Sequence, residues 1–216
     1  MPHDRADDVP SPIDLRLTDD AREWASSAMS KRPWREQFFQ QFINELRALD
    51  GAPVRVLELG SGPGFLAQRI LEAIPSVEYT MLDFSRAMHD LARERLGPLM
   101  RHVRPIVADF KRESWGKGLG EFDAVVTIQA VHELRHKKHA LALHQTVRSL
   151  LSTQGRYLVC DHYVGRDGMG NVALYMTVEE QRDCLEAARF GAVTNLLEMR
   201  GLVLHRAMHR PKPIPR

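Results

Sequence analysis

Cysteine, long apolar runs and net charge are all scarce in this sequence. Only two cysteines, Cys160 and Cys184, occur among 216 residues, too few for a disulfide framework and without metal-ligand spacing. No segment reaches the roughly 18 consecutive apolar residues of a membrane-spanning helix. The net charge of +2 provides no basic field that would favour nucleic acid. Because the polar start also lacks the features of a signal peptide, we expect a cytoplasmic protein that does not associate with membranes.

A regular alternation of apolar runs and helical patterns begins near residue 54. The runs predict strands over 54–59, 77–82, 103–108, 122–128 and 155–161. The helical patterns cover 64–74, 85–96, 136–151 and 177–189. Two late apolar runs, 191–197 and 202–208, have no crossover helix between them. Such alternation predicts an α/β fold in which helices cover both faces of a parallel sheet.

The chain divides into four parts. Residues 1–17 are rich in Asp and Pro and predict an irregular segment. Residues 18–50 predict two helices, which begin near Thr18 and Pro33 and form an N-terminal cap. Residues 51–208 form the main domain, and residues 209–216 form a basic, Pro-rich tail.

Three glycines at alternate positions, Gly60, Gly62 and Gly64, follow the first apolar run. Glycine lets the backbone approach a ligand closely, and the helix start that follows favours an anionic group. A dinucleotide fingerprint, G-x-G-x-x-G, would need its third glycine at position 65, which is Phe65. This departure, together with the absence of a Tyr–Lys pair at helical spacing, disfavours a nicotinamide oxidoreductase.

With Glu58 before the loop, the pattern E-x-G-x-G-x-G resembles motif I of the class I S-adenosylmethionine-dependent methyltransferases. The likeness covers roughly residues 50–208 and is strongest to the small bacterial type 11 and type 12 enzymes. It implies a doubly wound, mostly parallel seven-stranded sheet, a Rossmann-like methyltransferase fold with a last antiparallel strand. It also implies S-adenosyl-L-methionine as cofactor and S-adenosyl-L-homocysteine as product.

The loop and its acid are expected to hold the amino-acid end of that cofactor. The loop residues Gly60, Ser61, Gly62 and Gly64 offer free N–H groups to the carboxylate. Glu58, at the end of the strand, is placed near the cationic part. The plainer alternative for Glu58 is a capping or surface acid.

The next strand ends supply the remaining cofactor contacts. Asp83 can accept the ribose hydroxyls, and Phe84 can flank the adenine. The resemblance places Asp109 at the adenine amino group, Phe110 at the ring and Gln129 near the sulfonium. Helix capping for Asp83 and a loop position for Asp109 are the structural alternatives.

Two histidines, His132 and His162, are candidate bases because they follow the fourth and fifth strands. Histidine titrates nearest neutrality, and both strand ends face the expected crevice. Either side chain could instead serve a structural role, and methyl transfer needs a base only when the nucleophile must lose a proton. No metal is expected, since the pair His132 and His136 has no acid partner at suitable spacing.

The acceptor is expected to be a small molecule, because the fourth strand is not followed by Asn/Asp-Pro-Pro-Tyr and no RNA-binding module is evident. A glycine-rich segment, 165–176, could form a lid, and Arg32 and Arg35 could bind a carboxylate or phosphate. The alternatives are a tRNA or other RNA methyltransferase and a non-catalytic protein that binds the cofactor. The atom that receives the methyl group and the oligomeric state remain open.

Overall fold

The computed structural model describes residues 7–49 and 53–209. Its helices are α1 (Thr18–Lys31), α2 (Arg35–Arg47), α3 (Phe65–Ala73), α4 (Arg86–Leu96), α5 (Ala140–Leu150) and α6 (Val178–Ala187). Its strands are β1 (Arg55–Leu59), β2 (Glu78–Asp83), β3 (Val103–Val107), β4 (Phe122–Ile128), β5 (Leu151–His162), β6 (Ala192–Met199) and β7 (Leu202–Met208). Within this part of the chain, no helix has the length and apolar character needed to cross a bilayer.

All seven strands form one sheet in the order β3-β2-β1-β4-β5-β7-β6. The first five strands run parallel, whereas β7 lies antiparallel to both β5 and β6. The central strands are apolar on both faces because helices cover both sides of the sheet. The predicted fold class and its antiparallel last strand are therefore confirmed.

The chain reverses its direction of winding between β1 and β4, which are neighbours in the sheet but far apart in sequence. In open α/β sheets a ligand crevice forms beyond the carboxyl ends of the strands at such a point. Here β1, β2, β4 and β5 end at Leu59, Asp83, Ile128 and His162. The segments that follow these residues build the site.

Helix α2 packs directly into the core under the sheet. Phe38 and Phe42 are fully buried in the same apolar cluster as Val56 of β1 and Ala124 of β4. Helix α1 packs beside α4. There, Ala21 of α1 and Met88 of α4 belong to a second, smaller apolar cluster. The two predicted N-terminal helices are present, and α2 is a structural part of the main domain.

Two predicted boundaries were wrong. Helix 136–151 starts only at Ala140, because Arg135 is left-handed (φ 72°) and His136 is extended (φ −158°), which leaves short 3₁₀ turns before the helix. Strand β5 starts at Leu151 instead of residue 155, since Leu151 pairs with Phe122 before an irregularity in the ladder. The tail prediction lies outside the described residues from position 210 onward.

The N-terminal segment 7–17 contains no helix or strand and lies against the main domain. Arg135 holds it through both backbone and side chain: the Arg135 carbonyl accepts the Val9 N–H, and the guanidinium donates to the Val9 and Pro10 carbonyls. Further along, the Ser85 hydroxyl donates to the Leu15 carbonyl. These bonds place Leu15 over the crevice.

Candidate active site

The glycine loop is shaped by close packing on one side and open space on the other. Gly60 has φ 64°, and a Cβ added there would lie 2.4 Å from the Ala130 Cβ, so no larger residue fits without displacement. Gly62 has φ 53°, and a Cβ there would meet no atom within 4 Å. The loop therefore presents bare backbone to an open space, as expected for a ligand cradle.

Asp83 is fixed directly beneath this loop. Its carboxylate accepts the N–H of Gly62 at 2.8 Å and the N–H of Ser85 at 2.9 Å. Burial raises the pKa of Asp83, and the two N–H bonds oppose that rise. The bonds hold the carboxylate in one orientation at the end of β2, with its remaining acceptor capacity toward the crevice.

A cleft of about 720 Å³, including its open mouth, runs from this carboxylate to the ends of β4 and β5. Its lining includes most of the predicted site: Gly60, Gly62, Asp83, Phe84, Phe110, Gln129, His132 and His162. The remaining lining residues are Leu15, Trp24, Arg32, Arg35, Met88, Ile128, Ala130 and Glu133. At one end of the cleft lie the backbone of the glycine loop, the fixed carboxylate of Asp83 and the rings of Phe84 and Phe110. These groups complement the amino-acid, ribose and adenine parts of S-adenosylmethionine, respectively.

Four predicted cofactor residues lie outside this lining. Ser61 is buried, and its hydroxyl has no hydrogen-bond partner among the described residues. Gly64 precedes α3, where a Cβ would lie 3.3 Å from the Ala92 Cβ. Asp109 lies in an adjoining groove, and its carboxylate accepts the Lys111 N–H at 2.9 Å. The Ser61 hydroxyl is therefore a buried polar group of the loop that does not open into the cleft.

Glu58, the fourth of these residues, is buried inside β1 and accepts the Tyr79 hydroxyl at 2.9 Å. Burial raises the pKa of Glu58 to about 8, and the Tyr79 bond only partly opposes this shift. The carboxyl group is therefore mainly neutral at pH 7 before any ligand binds.

The raised pKa predicts that Glu58 makes folding less favourable as pH rises from about 4.5 toward 8, because the unfolded chain loses the proton first. Glu58→Gln keeps the acceptor for Tyr79 and removes the titration. We expect the unfolding free energy of the variant, relative to wild type, to be about 3–4 kcal/mol larger at pH 8 than at pH 5. Urea unfolding at pH 5 and pH 8 measures this, and an equal difference at both values would show that Glu58 is charged.

His132 and Asp161 form a buried pair at the ends of β4 and β5. Asp161 Oδ1 lies 2.6 Å from His132 Nδ1, and Oδ2 accepts the His132 backbone N–H at 2.8 Å. Glu133 lies 3.4 Å from the other ring nitrogen, Nε2. Burial lowers the pKa of His132, but the attraction and hydrogen bond of Asp161, aided by Glu133, outweigh it and raise the pKa to about 10. The pair fixes the ring and stabilises its proton.

His162 is held in a different state by a chain of hydrogen bonds. Arg35 Nε donates to the Gln129 Oε1 atom, and the Gln129 amide nitrogen lies 2.7 Å from His162 Nε2. His162 Nδ1 lies 3.3 Å from the Gly201 carbonyl. Because the amide nitrogen and Nδ1–H donate, Nε2 must accept, which requires a neutral ring. Burial lowers the pKa of His162 to about 4, which agrees with that assignment.

A second, narrow pocket of about 410 Å³, including its opening to solvent, adjoins the same two histidines. Tyr175, from the predicted lid 165–176, packs against both rings with centroid distances of 5.4 Å to His132 and 5.8 Å to His162. The histidines therefore form the wall between the cofactor-sized cleft and a mainly apolar cavity beneath the glycine-rich segment.

Sequence reasoning did not place three parts of this site. Leu15 and Met88 reach the cleft from the irregular segment and from α4, and no motif marks them. Asp161 is not marked by any motif, because its bond to His132 spans 29 positions. Among the described residues, no group of three His, Cys, Asp or Glu side chains is arranged to hold a metal ion.

A family model described as "Methyltransferase domain" matches residues 56–155. The chain is 27% identical over 186 residues to a malonyl-[acyl-carrier protein] O-methyltransferase of Geobacter sulfurreducens, covering 78% of this chain and 66% of the relative. It is 40% identical over 80 residues to the release factor glutamine methyltransferase of Deinococcus radiodurans, covering 37% of this chain and 26% of that relative. The chain thus spans less than two thirds of the length of these relatives.

Solved structures share the fold at low sequence identity. The C-methyltransferase domain (CMeT) of the citrinin polyketide synthase superposes with a TM-score of 0.72 at 19% identity, covering 89% of this chain and 57% of that one. The DszA carbon methyltransferase gives a TM-score of 0.69 at 16% identity, covering 91% and 59%. At these identities the likeness supports the fold, and the site must be argued from its own geometry.

Proposed function

We propose that this chain, whose residues 56–155 match a methyltransferase domain, transfers a methyl group from S-adenosylmethionine to a small organic acceptor by in-line displacement. S-Adenosylmethionine is the cofactor, and it supplies a methyl group on a positively charged sulfur. The named relatives include a malonyl-[acyl-carrier protein] O-methyltransferase and a glutamine methyltransferase. These names support an oxygen or a nitrogen atom as the nucleophile of the acceptor, and a carbon atom is the third candidate.

One observation carries the proposal: the glycine loop and Asp83 share a continuous cleft with the His132–Asp161 pair. The loop, Asp83 and Phe110 would hold the cofactor at one end. At the other end, the histidines separate that space from a cavity of mainly apolar lining. The cleft continues past His132, which supports positioning of the acceptor beside the cofactor, and such positioning is a large part of catalysis in a displacement.

The pair also provides a route for a proton. In its neutral form, His132 donates Nδ1–H to Asp161, which leaves the Nε2 lone pair to accept a proton from a C–H or O–H acceptor. The resulting imidazolium is stabilised by Asp161 and by Glu133. His162 is unsuited to that role because its Nε2 already accepts from Gln129. We therefore assign the base to His132 and a positioning role to His162.

We expect the wild-type protein to bind S-adenosylhomocysteine in isothermal titration calorimetry, because the loop, Asp83 and the aromatic rings complement its parts. NAD serves as the matched control, since Phe65 occupies the position where a dinucleotide site needs glycine. Absence of S-adenosylhomocysteine binding, or preference for NAD, would contradict the proposed function. A screen of metabolite extracts with methyl-labelled cofactor then identifies the acceptor.

A further inference from the structure

Arg35 is a buried cation that has no carboxylate partner among the described residues. It is only 4% exposed, and no described carboxylate influences its pKa. Burial, and secondarily Arg32, lower the pKa of Arg35 to about 10, so the guanidinium stays charged at neutral pH. A buried charge without a counter-charge is costly. An anionic ligand in the adjoining cleft would supply that counter-charge.

The orientation of Arg35 leaves most of its donors toward the cleft. Its Nε atom is engaged by Gln129, and the Trp24 ring lies 5.6 Å from the guanidinium carbon. A guanidinium has five N–H groups, so several remain for another partner. None of its nitrogens is among the buried atoms that lack a partner, and the residue lines the cleft. The remaining donors therefore face cleft solvent.

The charges in this cleft are segregated. Arg32, half-buried, lines the same end as Arg35, near Gln129 and His162. Two carboxylates also line the cleft. Asp83 lies under the glycine loop, at the other end of the cleft. The Glu133 carboxylate is engaged by Arg135 and His132. The space beside the two arginines thus has a positive potential, which favours an anionic group.

We propose that Arg35 and Arg32 form an anion-binding site that holds a carboxylate of the methyl acceptor. This inference rests on the proposed function and specifies its substrate class as an organic acid. The guanidinium of Arg35 binds the carboxylate through paired N–H groups, and Trp24 covers the other side of the guanidinium. The anchored acid then presents its nucleophilic atom beside His132.

The carboxylate of the cofactor is the other possible source of this charge. The free N–H groups of the Gly60–Gly64 loop and the start of α3 already suit that group. Arg35 is instead tied through Gln129 to His162, at the ends of β4 and β5, where the second cavity begins. This placement favours the acceptor as the source.

Benzoate and its neutral analogue benzamide test the site on protein saturated with S-adenosylhomocysteine. In NMR titrations, wild type should bind benzoate about 10-fold more tightly than benzamide, and Arg35→Gln should abolish that preference. Arg22→Gln is the matched control, because Arg22 is an exposed arginine of α1 that pairs with Glu94. Equal binding of both compounds by wild type, or an unchanged preference in Arg35→Gln, overturns the proposal.

A second arm separates the two sources of the carboxylate. 5′-Methylthioadenosine lacks the amino-acid end of the cofactor, so Arg35→Gln should leave the affinity ratio of S-adenosylhomocysteine to 5′-methylthioadenosine unchanged. A selective loss for S-adenosylhomocysteine would assign Arg35 to the cofactor and overturn the proposal. If Arg35→Gln does not fold, Arg32→Gln must reduce the benzoate preference. If wild type binds no S-adenosylhomocysteine, the proposed function is refuted. The preference for benzoate over benzamide, measured on protein without S-adenosylhomocysteine, then still tests the arginine site by itself.

Discussion

Replacing His132 by glutamine is expected to lower kcat by about 10²- to 10³-fold, while the affinity for S-adenosylhomocysteine stays near wild type. Glutamine approximates the size of the ring and can still donate to Asp161, but it cannot take a proton from the acceptor. Single-turnover assays with the acceptor found in the labelled-cofactor screen measure the loss. A change in KM with kcat unchanged would assign His132 to acceptor binding instead.

A matched variant separates this role from general perturbation. His102 lies at the opposite edge of the sheet, in a groove with Arg55 and Glu78, so His102→Gln should keep wild-type turnover. Equal losses in both variants would show that the effect of His132→Gln is not local. An unchanged rate in His132→Gln itself would refute the assignment of His132 as base.

The assignment of His132 as base also predicts the direction in which kcat/KM changes with pH. Burial lowers the pKa of His132, but Asp161 and Glu133 outweigh that effect and raise it to about 10. The neutral, active base is therefore the minor form at pH 7 and increases about tenfold per pH unit above it. We expect kcat/KM to rise between pH 7 and 9 in wild type and to lose this dependence in His132→Gln. A fall over that range would indicate that the imidazolium is the active form.

Asp83→Asn is expected to weaken S-adenosylhomocysteine binding by about 10- to 100-fold, because an amide cannot accept two ribose hydroxyls as a carboxylate does. The same change turns an NH₂ group toward the Gly62 or Ser85 N–H, which disturbs the loop that Asp83 supports. Calorimetry with S-adenosylhomocysteine and with 5′-methylthioadenosine should show similar losses, since both contain the ribose.

The control for Asp83 is Asp90→Asn on the exposed face of α4, where Asp90 pairs with Arg93. It removes the same charge from a nearby acid without touching the cleft, and its affinity should equal that of wild type. Thermal unfolding of both variants checks that the folded population is unchanged. Unaltered affinity in a folded Asp83→Asn protein would remove Asp83 from the cofactor site.

Local signals in the sequence were enough to bring several residues of the proposed cofactor end together. Gly60 and Gly62 follow an apolar strand immediately, and Asp83 ends the next one, so period and spacing were enough to place all three at one sheet edge. Glu58 shows where such reasoning fails. The position of Glu58 in the motif was clear from the sequence. The orientation of its side chain depends on Tyr79, a residue 21 positions away whose hydroxyl donates to the Glu58 carboxyl group inside the sheet.

The acceptor end was less predictable because its interactions are long-range. Arg35 and Gln129 are 94 positions apart, and their bond depends on how α2 seats against the end of β4. The two histidines looked equivalent in the sequence, yet one is bound to Asp161 and the other accepts from an amide. Only the fold brings those different partners together, and the difference between them supports the separate roles proposed for the two histidines.

The burial of α2 under the sheet has a consequence for cooperativity. Phe38 and Phe42 of α2 lie in one continuous apolar cluster with residues of β1 and β4. This apolar cluster joins helix α2 to the strands that follow residue 53. We therefore expect α2 and the sheet to unfold together. Since α2 also carries Arg35, the stability of the core and the position of the cleft's buried cation depend on the same helix.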